Sequence, residues 1–188
     1  MAKLLFLAGS ARQDSLNKKL ANHACDLAAK KGADCTFIDL KKFEMPLYCE
    51  DWETKNGMPE NAKKLKKLFH DCDGFLIASP EYNSTFTPLL KNTIDWMSRG
   101  GDEESKKMTP YKGKVAAICA TSPGPLGGLR GLTPLRTLLS NIGVHVIPAQ
   151  VAVGGGLDDN GAPIQDMHIN MTNAMVEQFV KTADALNA

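Results

Sequence analysis

The chain has 188 residues, enough for one domain with a sizeable core. Hydrophobic residues make up 43% and charged residues 23%, near the globular average, which excludes disordered and fibrous architectures. Lys and Arg total 22 against 21 Asp and Glu, and the resulting net charge of +1 supplies no basic field for nucleic acid or an anionic membrane.

Residues 3–8 are a short apolar run stopped by Gly9, the pattern of a strand buried on both faces. The run is far shorter than the roughly 20 residues of a membrane span, and no small-residue cleavage pattern follows it. A strand is therefore expected there, not a secretory signal. Leu16, Leu20, Ala24, Leu27 and Ala28 fall at i, i+4, i+8, i+11 and i+12 and predict an amphipathic helix closed by Lys30, Lys31 and Gly32. Residues 35–40 are a second candidate strand. Residues 41–59, which carry Pro46, Gly57 and Pro59, read as an ordered loop. Residues 61–71 read as a helix with Leu65, Leu68 and Phe69 on one side and lysines on the other.

The alternation then repeats. Strands are expected at 74–78, 114–120 and 144–147, and a helix at 88–99. Leu129, Leu132, Leu135, Leu138, Leu139 and Ile142 form a helical stripe, and Met175, Val176, Phe179, Val180, Ala183 and Leu186 form another at the C-terminus. Pro134 interrupts the first stripe. Either Thr133 caps a helix with Pro134 at its first position, or a helix that starts earlier is kinked there. Strands alternating with helices of these lengths imply a parallel sheet covered on both faces, a three-layer α/β sandwich formed by residues 1–188 as a single domain.

The five cysteines (Cys25, Cys35, Cys49, Cys72, Cys119) are odd in number and contain no C-x-x-C, so neither a disulfide framework nor a metal site is expected. Reduced thiols in a cytoplasmic protein follow. His23, His70, His145 and His168 form no metal or triad pattern and read as structural or surface residues.

Ligands of such sheets sit beyond the carboxyl ends of the strands, which narrows the functional question to loops 9–17, 79–88 and 120–131. The first, Gly9-Ser10-Ala11-Arg12-Gln13-Asp14-Ser15-Leu16-Asn17, offers a helix start, hydroxyls, an amide and an arginine. Unpaired N–H groups and the positive end of the helix dipole favour an anion there, and a guanidinium can bond two phosphate oxygens. The chain has neither G-x-x-x-x-G-K-[ST] nor G-x-G-x-x-G, so a single terminal phosphate fits better than a nucleoside triphosphate or a dinucleotide. The plainer reading has Ser15 as a helix cap and Arg12 as a solvated side chain. In the second loop Pro80, Glu81, Tyr82 and Asn83 make a turn in which Tyr82 offers a stacking face and Asn83 and the main chain can pair with ring nitrogens and carbonyls. Its plainer reading is a turn with a half-buried tyrosine. The third loop, from Thr121 through Ser122, Pro123 and Gly124 to Gly128, is glycine-rich and permits close approach to a ligand, or is simply a tight strand-to-helix turn.

The motifs Gly9-Ser10-x-Arg12-x-x-Ser15-x-Asn17, Pro80-Glu81-Tyr82-Asn83, Leu90-Lys91-Asn92-x-Ile94-Asp95-Trp96-x-Ser98-Arg99 and Gly127-Gly128-x-Arg130 resemble the NAD(P)H-dependent FMN reductase family, whose members include chromate, quinone and azo-dye reductases. The resemblance runs from about residue 3 to residue 153. It implies a flavodoxin-like fold with strand order 2-1-3-4-5 and FMN bound without a covalent link. It places the phosphate at Ser10, Arg12, Ser15, Leu16 and Asn17, and the isoalloxazine against Pro80, Glu81, Tyr82 and Asn83, with Ser122 and Gly124 at its far edge. It further implies NAD(P)H as co-substrate and a loosely specified acceptor (quinone, chromate, azo compound or flavin). No side chain needs to act as nucleophile, because the flavin carries the chemistry. A homodimer or homotetramer whose partner subunit helps form the pocket is implied as well. One departure stands out: Thr87-Pro88-Leu89 occupy a stretch where the family usually has a Pro-Gly pair, which leaves less room for an approaching backbone. Two other readings are a flavodoxin-type electron carrier, whose docking through an acidic surface the neutral charge disfavours, and a flavin-binding redox regulator.

Overall fold

The structure, a computed structural model, describes residues 1–100 and 108–187. Strands β1 (Lys3–Ala8), β2 (Asp34–Ile38), β3 (Gly74–Ala78), β4 (Val115–Thr121) and β5 (His145–Val153) form one all-parallel sheet in the order β2-β1-β3-β4-β5. Helices α1 (Leu16–Lys30), α2 (Glu50–Asn56), α3 (Glu60–Asp71), α4 (Pro88–Ser98), α5 (Leu129–Asn141) and α6 (Asp166–Leu186) complete the described elements. This is the flavodoxin-like arrangement expected from the sequence.

Side chains alternate across a strand, and the central strands use both of their faces. Leu4, Phe6, Ala8, Leu76, Ala78, Ala117 and Cys119 pack under α1 and α6. Leu5, Leu7, Phe75, Ile77, Ala116, Ile118 and Ala120 pack under α3, α4 and α5. The continuous apolar runs of β1, β3 and β4 are thus the sequence image of a sheet sandwiched between two helical layers. Among the described residues no helix is long and apolar enough to cross a membrane.

The structure changes three sequence expectations and decides between the two readings at Pro134 in favour of the earlier start. Residues 41–59 are not one loop: a 3-10 turn covers Leu40–Lys42, and α2 follows. The stripe around Pro134 starts at Leu129, so the proline lies inside α5 and Thr133 is not its cap. α6 begins at Asp166, well before the apolar stripe that predicted it. β5 runs on to Val153, past an irregularity in its pairing with β4 opposite residues 116–118. Pro148, which has no N–H, falls in that irregular stretch of an edge strand. The Arg136 guanidinium fills in for the missing ladder, donating to the carbonyls of Val146, Ile147 and Pro148 and to Gln150 Oε1.

Because every strand runs the same way, the chain leaves β1, β3, β4 and β5 at one end of the sheet. Main-chain bonds continue the ladder just beyond them: Gly9 N–H to the Ala78 carbonyl (3.0 Å), Ser79 N–H to Cys119 (2.8 Å) and Ser122 N–H to Val153 (3.3 Å). The three candidate loops therefore begin side by side.

Candidate cofactor site at the rim of the sheet

In the first loop Ser15 is the N-cap of α1, with extended backbone (φ −81°, ψ 122°), and its hydroxyl accepts the Lys18 N–H at 3.3 Å. The backbone N–H groups of Leu16 and Asn17 have no acceptor among the described residues. Ser10 is buried and its hydroxyl accepts the Arg12 N–H at 3.3 Å. The Arg12 side chain is exposed and makes no ion pair among the described residues. The plainer reading of the loop is thus correct as far as it goes: Ser15 is a cap and Arg12 is solvated. The same loop carries two amides at a helix start with no acceptor among the described residues and an exposed guanidinium four residues earlier, both features that favour an anion. The Asn17 side chain is committed elsewhere. Its Oδ1 accepts the Thr121 N–H (3.1 Å) and its Nδ2 donates to the Thr121 carbonyl (2.9 Å), tying α1 to the end of β4. Only its main-chain N–H is left for a ligand.

In the second loop Tyr82 and Thr85 exchange both main-chain bonds (2.8 and 3.1 Å) around Asn83 and Ser84, whose φ angles are 51° and 66°. Two central residues in the left-handed region make a type I′ turn, a geometry that glycine adopts at least cost. Tyr82 is 50% exposed, so much of its side chain is open to solvent. Pro80 is half-buried and Asn83 exposed. The Glu81 carboxylate is taken up by Arg130 at the start of α5, so Glu81 offers a ligand its main chain rather than its charge.

Thr87 and Pro88 begin α4 as N-cap and first residue. The Thr87 hydroxyl accepts the Leu90 N–H (3.2 Å) and donates to the Gly9 carbonyl (2.7 Å), fastening the second loop to the first. In the stretch where the sequence lacks the family's usual Pro-Gly pair, Thr87 thus makes an internal tie.

The third loop is a turn first. A Cβ at Gly127 (φ 58°) would lie 2.5 Å from the Val153 carbonyl carbon, so that glycine admits β5 and not a ligand. Gly124 differs: it is exposed, and the nearest atom to a Cβ there is the Ser122 hydroxyl at 3.7 Å. Ser122, whose hydroxyl reaches the Gly124 carbonyl at 3.5 Å, is half-buried, and Pro123, Gly124, Pro125 and Leu126 are exposed, so the stretch 122–126 stays open at the rim.

The motif at 90–99 does structural work. Asn92 accepts the Tyr48 N–H (2.7 Å) and donates to the Pro46 carbonyl (2.9 Å), and the Trp96 indole N–H donates to the same carbonyl at 2.7 Å. Tyr48 and Trp52 pack edge-on against Trp96, and Arg99 lies 5.3 Å over the Tyr48 ring while pairing with Glu53. Segment 46–48 is strapped down in this way, with Leu47 left exposed.

One charged pair near the rim had no sequence signal, because its partners come from separate elements. Lys18 Nζ, nearly buried in the first turn of α1, meets Asp39 Oδ1 at 2.7 Å just past β2. Burial alone would raise the Asp39 carboxyl, but the Lys18 hydrogen bond, the Lys41 N–H and nearby lysine charge outweigh it and hold the group below its ordinary range. The thiols are poor nucleophile candidates: burial pushes Cys35, Cys72 and Cys119 up to about 12, which keeps them protonated. His145 opens β5, at the end of the sheet opposite the rim.

Residues 2–158 match the family described as NADPH-dependent FMN reductase. The chain is 37% identical over 134 residues to the 2-hydroxy-1,4-benzoquinone reductase of a Burkholderia species, covering 71% of this chain and 68% of that one. It is 29% identical over 161 residues to the quinone reductase of Escherichia coli K12, covering 86% and 81%. Its fold superimposes on FerB, a flavoenzyme NAD(P)H:(acceptor) oxidoreductase from Paracoccus denitrificans, with a TM-score of 0.81, 26% identity and 98% of each chain covered.

Proposed function

The chain belongs to the NADPH-dependent FMN reductase family and is an oxidoreductase, and from that premise we propose that it holds FMN at the rim and reduces quinone-type acceptors with NAD(P)H. The observation that supports this reading is that one loop carries both the Leu16 and Asn17 amides at the start of α1, without an acceptor among the described residues, and an exposed Arg12 without an ion pair among them. The residues present fit the group. The α1 start and Arg12 suit a terminal phosphate, with the Ser10 and Ser15 hydroxyls, each already accepting one bond, retaining a proton to donate. Tyr82, Pro80, Asn83 and the open stretch at Ser122 and Gly124 suit a flat heteroaromatic ring.

FMN held there would supply the two-electron chemistry that links a nicotinamide to the acceptor. The chain's own task is to bind and orient. Arg12 and the helix start would neutralise the anion, and the main-chain groups of Asn83 and Ser84, which the Tyr82–Thr85 bonds do not use, would hold the edge of the ring. The exposed side chains of Tyr82, Leu126 and Leu129 leave an apolar approach for a planar acceptor. Loose selectivity follows, since stacking discriminates by shape more than by hydrogen bonds. A homo-oligomer that contributes a wall to the pocket belongs to the same proposal.

The test is direct. Protein loaded with FMN and mixed with NADH or NADPH without oxygen should lose its visible flavin absorbance far faster than free FMN does, and benzoquinone should restore it. Flavin that stays oxidised while bound would leave only a carrier. Absence of flavin binding would remove the reading altogether.

A further inference from the structure

Helix α5 begins at an end that cannot cap itself. Its N-cap is Gly128, in the left-handed region at φ 87°, with no side chain to offer the first N–H groups. The acceptor arrives from another loop. The Arg130 N–H donates to Glu81 Oε2 at 3.0 Å, while Arg130 Nε and Nη2 reach Glu81 Oε1 at 2.7 and 2.6 Å. One carboxylate thus takes a helix-start N–H and both prongs of the same residue's guanidinium. The Glu81 side chain is only 9% exposed while that of Arg130 is 62% exposed, so the carboxylate is shielded and the guanidinium clamps it from the solvent side.

Glu81 leads directly into the turn at 82–85. That turn holds two non-glycine residues at positive φ, a conformation that persists only when its surroundings over-determine it. Its far end is gripped too: a Cβ on Gly131 would lie 3.2 Å from the Thr85 carbonyl oxygen and 3.4 Å from Glu81 Cβ. The first turn of α5 therefore holds the second loop before and after its strained residues.

We infer that Arg130 is a positioning residue for the ring end of the site: acting through Glu81, it fixes the turn at 82–85 against the third loop and so sets how tightly a flat heteroaromatic ring is held. The inference rests on the flavin reading above and assigns Arg130 no contact with the phosphate.

FMN and riboflavin, which lacks the phosphate, separate the two ends. Arg130→Gln should weaken the binding of both about tenfold, leaving their affinity ratio at the wild-type value. The visible band and near-UV circular dichroism of the bound flavin should shift with it. Arg130→Lys keeps the charge without the fork and should recover part of the loss. Unchanged riboflavin affinity in folded Arg130→Gln overturns the positioning role, as does a loss confined to FMN, which would make Arg130 a phosphate contact. Should Arg130→Gln fail to fold, the affinity ratio in Arg130→Lys decides by the same criterion. Wild-type protein that binds neither flavin overturns both readings, whereas flavin bound equally by wild type and variant overturns this one alone.

Discussion

In the first loop the guanidinium of Arg12 stands exposed and without an ion pair among the described residues, whereas in the second the carboxylate of Glu81 is engaged three times by Arg130. Both loops leave the same edge of the sheet and both carry charge in their sequence, yet only one presents it. At the first end an exposed cation shares a loop with helix-start amides. At the second, charge is neutralised inside the fold, and an exposed tyrosine side chain with main-chain groups remains. The rim is thereby polarised along its length, anion-seeking at one end and neutral at the other. Motif residues at both ends are also spent internally, Asn17 on Thr121 and Glu81 on Arg130, so that the backbone is what they leave to a ligand.

The largest expected effect tests that internal spending. Asn17→Ala removes two buried hydrogen bonds and leaves both main-chain groups of Thr121 unpaired, which should cost about 3 kcal/mol of stability. Urea unfolding of the flavin-free protein reads it, and a loss confined to flavin binding would show that Asn17 serves the ligand instead. Arg12→Ala addresses the free charge. It should weaken FMN by about 1.5–3 kcal/mol while leaving riboflavin affinity alone and stability within about 0.5 kcal/mol. Equal losses for the two flavins would erase the difference between the ends.

The Lys18–Asp39 pair sharpens the picture of the first end through pH. Asp39 is held below its ordinary range, so the folded state binds fewer protons at that site than the unfolded state. The pair's contribution is therefore fully present above the ordinary carboxylate value of about 3.9 and is lost as pH falls through the lower folded value. Asp39→Asn should cost about 1 kcal/mol at neutral pH, with its stability curve converging on the wild type's below about pH 4. A gap that stays constant with pH would remove the ion pair as its cause. The smallest effect has the opposite sign. Ser84→Gly relieves a residue at φ 66° and should raise stability by about 0.5 kcal/mol, seen as a higher melting temperature.

How much of this could be read from the sequence depended on whether apolar residues marked the element. β1 and β3 are continuous buried runs, and their expected bounds agree with the structure residue for residue. α2 buries no residue at all, so its seven positions carry no periodic trace. The first turns of α6 bury His168 and Thr172, polar residues that a search for an apolar stripe passes over. β5 was cut short because Pro148 breaks the run in the middle of the strand. At the rim, the composition of the first loop pointed to its helix cap and its cation, since both are local properties. The engagements of Asn17 and Glu81 are not local. Their partners lie 104 and 49 residues away, and only the parallel sheet brings them together.

The treatment of β5 also bears on how copies of this chain can meet. An outermost strand ordinarily exposes a row of unsatisfied N–H and C=O groups on which a foreign strand can grow. Here a proline withholds one donor, and an arginine from the neighbouring helix occupies three successive carbonyls around it. That stretch of β5 makes a poor template for a foreign strand, and the opposite margin, β2, is only five residues long, so neither edge of the sheet offers a long run on which another chain could extend it.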